Sequence, residues 1–170
     1  TRSVNLEGAV RVARLAQAAG ASRIVFVSSC SVYGQGAHPE LAEDAPLRPV
    51  SLYARAKADA EDRILSLGGT TGVTATVLRL ATAFGLSGRM RFDLAVNVMT
   101  RNAWVDRQII VEGGGRQWRP FVHVHDVADT VMAVLGAPPS QVAGEVFNVG
   151  SDANNVRIVN LAYRVRELVP

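Results

Sequence analysis

The residues best suited to chemistry are Tyr53 and Lys57, four apart in Tyr53-Ala54-Arg55-Ala56-Lys57. On a helix that spacing puts both side chains on one face, so the ammonium lies beside the phenol. A free phenol titrates at about pH 10, and a neighbouring fixed cation favours its phenolate form. Tyr53 can then act as a general acid or base toward a hydroxyl or a carbonyl. Taken alone, Tyr-x-x-x-Lys more often marks a surface phenol beside a solvated amine. Ser28-Ser29 adds context. It closes a short apolar run, and strand ends in an open parallel sheet face the ligand crevice. A hydroxyl from Ser29 can hold a reacting oxygen beside the phenol; its plainer use is to cap a turn.

The elements that must position these groups are legible in the pattern. Residues 4–19 carry apolar side chains at helical spacing, with Ser3 as N-cap and Gly20 as stop. Residues 23–28, rich in β-branched and aromatic side chains, predict a fully buried strand of a parallel sheet. A loop rich in Gly, Pro and Asp covers residues 30–50. Ser51 then opens a second helix, expected to reach residue 67 and stop at Gly68-Gly69. Residues 73–80 predict a second strand. Helix, strand, helix, strand with such connections is α/β architecture with right-handed crossovers. Further on, the pattern predicts a helix over 92–102, an extended stretch over 108–111 and a hairpin turn at Gly113-Gly114-Gly115. It then predicts a strand over 121–124, a helix capped by Asp126, a strand over 145–149 and a helix over 156–168. Pro138-Pro139-Ser140 reads as a surface loop. There is no internal repeat.

Composition excludes several classes of function. The 170 residues suffice for one domain with a core and are too few for two ordinary ones. An apolar share of 48% and a charged share of 19% belong to a globular protein. Net charge is +3, and the basic residues are spread along the chain despite a pI of 9.6, so no nucleic-acid partner is expected. No apolar run approaches the ~18 residues of a membrane helix, and the first residues do not resemble a secretory leader. No membrane partner is expected. The one cysteine, Cys30, excludes an internal disulfide and points to a reducing compartment, the cytoplasm. The chain begins Thr1-Arg2-Ser3 without Met and stops at Pro170 just after a helical pattern, so both ends are expected to be truncations of a longer chain.

Several segments, in order, resemble the extended short-chain dehydrogenases, the NAD-dependent epimerase/dehydratase family. Residues 25–34, Val-Phe-Val-Ser-Ser-Cys-Ser-Val-Tyr-Gly, are similar to that family's strand and loop. Glu43-Asp44-Ala45-Pro46 and Pro49-Val50-Ser51-Leu52-Tyr53 resemble its run into the catalytic helix. Asn5-Leu6-Glu7-Gly8-Ala9 is similar to its Asn-x-x-Gly-Thr helix start, and residues 78–85 to its strand leading toward substrate. Arg119-Pro120-Phe121-Val122-His123-Val124-His125-Asp126 and Phe147-Asn148-Val149-Gly150 match later segments in the same way.

The resemblance implies a Rossmann-like, doubly wound parallel α/β sheet with part of a small substrate lobe. It makes the chain one partial domain. Residues 1–85 would be the catalytic part, without the Gly-rich half, and residues 86–170 substrate-lobe segments interleaved with returning Rossmann elements. It implies Ser29, Tyr53 and Lys57 as catalytic residues, with Asn5, Ser29, Tyr53, Lys57 and Ala81 facing an NAD or NADP cofactor. Thr82 and Arg119 would meet a nucleotide-sugar substrate, Arg119 by bidentate bonding to its diphosphate. The full-length protein is expected to be a homodimer and the fragment inactive alone.

Three departures stand out. The family's 4,6-dehydratases carry acids directly after the catalytic Ser/Thr; here Cys30 and Ser31 stand there, which argues for epimerase or reductase chemistry. Pro120 replaces the usual acid after Arg119, and Tyr-Ala-Arg-Ala-Lys replaces the common Tyr-Gly-x-Ser-Lys. The phosphate-binding Gly-x-x-Gly-x-x-Gly turn is missing, and the triple glycine at 113–115 lacks its spacing. Rival expectations are another extended-family oxidoreductase, such as a sugar or hydroxysteroid reductase, and a non-catalytic dinucleotide sensor on the same fold. The joint presence of Ser29, Tyr53 and Lys57 favours an enzyme. His123 and His125 lack evident further ligands, so they read as structural and no metal is expected. Cys30 reads as a small filler, Trp104 and Trp118 as packing residues. Arg89 and Arg91 read equally as diphosphate contacts or as a solvated loop.

Overall fold

The stretch Thr74–Leu80 is buried along nearly its whole length because it has a strand on each side. In the computed structural model, which describes residues 1–34 and 41–170, it pairs in parallel with Arg23–Ser29 and with Val146–Val149. In chain order the strands are β1 (Arg23–Ser29), β2 (Thr74–Leu80), β3 (Thr82–Phe84), β4 (Trp118–His123), β5 (Val146–Val149) and β6 (Asn155–Arg157). The helices are α1 (Ala9–Ala18), α2 (Leu52–Thr71), α3 (Ala95–Asp106), α4 (Val124–Gly136), α5 (Pro139–Val142) and α6 (Ile158–Leu168). They fall into two units, residues 1–80 with 128–149 and residues 81–127 with 150–170.

The first unit holds the all-parallel sheet β1-β2-β5, the Rossmann-like α/β arrangement expected. Its core joins Leu6, Val10 and Ala13 to Ala56, Ala60 and Ile64 of α2 over Phe26, Ala75 and Val77 of the sheet. Three alanines on the buried side of α2, at 54, 56 and 60, let that helix lie close to the strands. β1 is less buried than its composition suggests. It pairs only with β2 among the described residues, and Val27 is 41% exposed.

Local signals held where a side chain or a backbone angle decides the matter. Ser51 caps α2, its Oγ accepting from the Ala54 amide at 3.1 Å. Gly20 ends the first helical stretch at φ +87°. Ser3 does not cap, because the chain is already helical at Arg2 and Ser3–Gly8 forms a wider π-type segment leading into α1. Gly68-Gly69 does not stop α2, which continues to Thr71 and is closed by Gly72. A Cβ at Gly68 would come within 2.8 Å of the Ala75 methyl, so this glycine serves a close helix–strand approach rather than a turn.

The second unit pairs β3 parallel to β4 and β4 antiparallel to β6. Its core is Met99 and Ala103 of α3, Phe121 and Val156 of the strands, and Ile158, Leu161, Ala162 and Val165 from α6. The three glycines at 113–115 form a tight turn with positive φ throughout, but no paired strand precedes it, so it is not a hairpin. Residues 108–111 form no strand, β3 and the short α5 appear where the pattern showed none, and β6 takes the first two residues of the helix expected over 156–168, which begins at Ile158. All three are four residues or shorter, below the length at which periodicity speaks. No helix among the described residues is long and apolar enough to cross a membrane.

Candidate active site

β1 ends on two serines whose side chains alternate as strand neighbours must. Ser28 is buried and donates its hydroxyl to Glu61 of α2. Ser29 is half-buried, and its Oγ accepts from the Ser31 amide at 3.2 Å, capping a tight 3-10 turn over Cys30–Tyr33. The plainer use foreseen for Ser29 is therefore real. It occupies an oxygen lone pair and leaves the hydroxyl hydrogen for another acceptor. The turn closes at Gly34, φ +68°, where a Cβ would lie 1.9 Å from the Arg48 carbonyl oxygen. Only glycine fits there.

Tyr53 and Lys57 occupy the first turns of α2. The Lys57 Nζ stands 5.8 Å from the centroid of the Tyr53 ring and 4.7 Å from that of Phe26, within cation–π range of both. It donates to the Val27 carbonyl at 2.8 Å, tying α2 to β1. Burial pushes the ammonium below its ordinary value of 10.5, while the Glu61 charge one turn along partly holds it up. An ammonium has three protons, and Val27 is its one hydrogen-bond acceptor among the described residues. Two remain for a ligand. Tyr53 is 40% exposed.

Sequence reasoning passed over the polar network beneath these groups. Arg79 of β2 donates from Nε and Nη2 to Glu61, the Nη2–Oε2 distance being 2.8 Å. Its Nη1 donates to the Tyr33 hydroxyl and to the Glu43 carbonyl, each at 2.9 Å. The Tyr33 hydroxyl donates to Asn148 Oδ1 at 2.6 Å, and the Asn148 backbone amide donates to the Glu43 carboxylate at 2.7 Å. The side chains of Arg79 and Glu61 are 6% and 2% exposed, so both charges sit in the core. A signal was available. Glu61 falls one more four-residue step after Tyr53 and Lys57, among the inward alanines of α2, and Arg79 interrupts an otherwise uncharged strand. Two opposite charges in two apolar settings imply a pair.

The other sequence-predicted residues are placed as follows. Asn5 lies in the π-type segment, its Nδ2 donating to the Thr1 carbonyl at 3.1 Å. Ala81 is buried and Thr82 half-buried at the start of the second unit. Arg119 is exposed on β4 opposite Val156, and no acceptor among the described residues holds its guanidinium. Arg91, by contrast, is bound to Asp93 at 2.6 Å. His123 packs edge-on against Phe84, and its Nδ1 accepts from the His125 amide at 3.3 Å.

Residues 1–150 match the model of the NAD dependent epimerase/dehydratase family. The chain belongs to that family. It is 26% identical over 170 residues to dTDP-D-glucose 4,6-dehydratase of Mus musculus, covering 98% of this chain and 45% of that protein. It is 27% identical over 168 residues to UDP-glucuronate 4-epimerase of Thermodesulfobacterium geofontis, covering 97% and 49%. Among solved structures, dTDP-glucose 4,6-dehydratase from Bacillus anthracis in complex with NAD superposes with a TM-score of 0.85 at 26% identity, covering 98% of this chain and 52% of that one. The chain thus spans about half the length of the curated relatives it matches.

Proposed function

We propose that the protein carrying this chain is an NAD-dependent epimerase of a nucleotide-activated sugar, with Tyr53 as its acid/base. The observation that carries this is the Lys57 ammonium, held between the Tyr53 ring and the end of β1 with two protons unclaimed. Such a group fits the ribose hydroxyls at the nicotinamide end of NAD, the cofactor found with the similar Bacillus anthracis enzyme. When bound, NAD supplies the acceptor and later the donor of a hydride. Tyr53 takes the proton of a sugar hydroxyl as the carbon bearing it loses hydride, and returns the proton once hydride has come back to the opposite face. Ser29 donates its free hydroxyl hydrogen to the ketone oxygen formed in between. Lys57 stabilises the phenolate by its charge and orients the ribose. Asn5 and Ala81 line the nicotinamide side by their place in the family pattern, Thr82 touches the sugar, and Arg119 grips the diphosphate with its unclaimed fork.

Epimerisation is favoured over dehydration because Cys30 and Ser31 follow Ser29, where expulsion of water requires acids. The protein is read as a cytoplasmic homodimer. Residues 1–85 supply its catalytic part, and residues 86–170 supply substrate-lobe segments with returning sheet elements. The test is to give the full-length protein NAD with UDP-glucuronic acid or dTDP-glucose and to follow the sugar by NMR. An epimer that keeps every hydroxyl supports the proposal. A product that has lost water, or no consumption of either sugar, overturns it.

A further inference from the structure

The buried Glu61–Arg79 pair takes no part in the proton or hydride steps, yet it joins the elements that carry them. Tyr53, Lys57 and Glu61 follow one another at four-residue intervals along one face of α2. Lys57 crosses to the carbonyl of Val27, and Glu61 crosses to the hydroxyl of Ser28, the next residue of β1. Two crossings one helical turn apart, about 5.4 Å, fix both the sliding and the rotation of the helix against the strand. Arg79 locks the same carboxylate to β2 and, through Tyr33, to the turn that Ser29 caps.

We propose that Glu61 is a positioning residue for this site: its carboxylate pins β1 to α2 beside Lys57, and its charge supports the Lys57 ammonium, so that Ser29, Tyr53 and Lys57 keep one register. This rests on the reading of those three as the reacting set. An amide oxygen would accept from Ser28 equally well, but two cations call for the charge: Arg79, whose fork takes both Glu61 oxygens, and Lys57. Burial opposes its charge, and Glu61 is the carboxylate acting on it among the described residues. Among the described residues, the other groups shown against Lys57 are the Tyr53 ring on its own helix and, from β1, the Phe26 ring and the Val27 carbonyl, none of them a fixed charge.

Lys57 is the one lysine among these 170 residues, beside 17 arginines. In the full-length protein labelled with carbon-13 at lysine Cε, its signal is the one lost in Lys57→Arg, and Glu61→Gln is expected to move the Lys57 midpoint to lower pH, because the supporting charge is gone while burial remains. Glu61→Asp, which keeps the charge, should stay nearer the wild type. If Glu61→Gln leaves Arg79 unpaired and fails to fold, the paired variant Glu61→Gln/Arg79→Gln removes both charges. It should still show a downward move, since Glu61 is the charge that supports Lys57 among the described residues. An unmoved midpoint in whichever variant folds overturns the proposal, because a purely structural carboxylate leaves Lys57 alone. Turnover retained in Tyr53→Phe would sink the catalytic reading while leaving this titration result standing, so the two failures are distinguishable.

Discussion

Consider the stability cycle Glu61→Leu, Arg79→Met and the two together. In Glu61→Leu, a guanidinium only 6% exposed loses its counter-charge and Ser28 loses its acceptor. In Arg79→Met, a carboxylate only 2% exposed keeps the Ser28 hydroxyl alone. Breaking one side of a buried ion pair costs about 3–5 kcal/mol, because the remaining charge stays desolvated. The double variant buries no charge. What it leaves is an unpaired Ser28 hydroxyl and a Glu43 carbonyl without its donor, each worth about 1–2 kcal/mol. The double variant is therefore expected to be no less stable than either single one, a coupling of about 3 kcal/mol. Tryptophan fluorescence is the wrong probe, since Trp104 and Trp118 both lie in the second unit. Amide hydrogen exchange across Thr74–Leu80 reports the first unit directly. Single effects that simply add, within about 0.5 kcal/mol, would refute the view that the two charges are held by each other.

Four further outcomes are expected. In the full-length protein Tyr53→Phe should abolish turnover with cofactor affinity nearly unchanged, measured by steady-state kinetics beside an NAD titration. Arg119→Lys should weaken nucleotide-sugar binding far more than NAD binding, as calorimetry with each ligand would read, because the bidentate fork is lost. Because burial lowers Lys57 below 10.5, the unfolded chain holds that proton more tightly than the folded one. Its contribution to stability should thus rise with pH between the folded midpoint and 10.5, and urea midpoints compared with Lys57→Gln from about pH 8 to about pH 11 should show that rise vanish in the variant. Gly34→Ala should cost about 2 kcal/mol or more in urea unfolding, since φ is +68° and the Arg48 carbonyl blocks a Cβ.

Legibility in the sequence followed the length scale of the physics involved. β1, β2 and α2 were readable because many side chains along each repeat one periodic signal, and Ser51 marked where α2 begins. The end of α2 was not readable. Whether Gly68 stops a helix or admits a neighbouring strand depends on Ala75, seven residues away and in another element. The exposure of Val27 depends likewise on how many strands flank β1, which no local pattern records. Within the site, Tyr53 and Lys57 announced themselves by spacing on one helix. The partners of Glu61 come from β1 and β2, 33 and 18 residues away along the chain. Pairing of that kind becomes visible only when the strands are in register.

The two cations around Glu61 differ for reasons that can be followed bond by bond. Arg79 makes five directed hydrogen bonds, from Nε, Nη1 and Nη2, to both Glu61 oxygens, the Tyr33 hydroxyl and the Glu43 carbonyl. A lysine has three protons on one nitrogen and cannot span those four acceptors. At position 57 the demands are reversed. The cation must reach along a single stem to one carbonyl 2.8 Å away and lie over two aromatic rings. A point charge does this, whereas a planar fork would present its donors in fixed directions. The ammonium also responds to burial, moving below 10.5, whereas a guanidinium stays charged throughout. A chain that uses arginine at 17 positions and lysine at one has therefore placed its only adjustable strong cation beside Tyr53. Glu61, held on one side by a cation that cannot release its proton, is then free to act on the one that can.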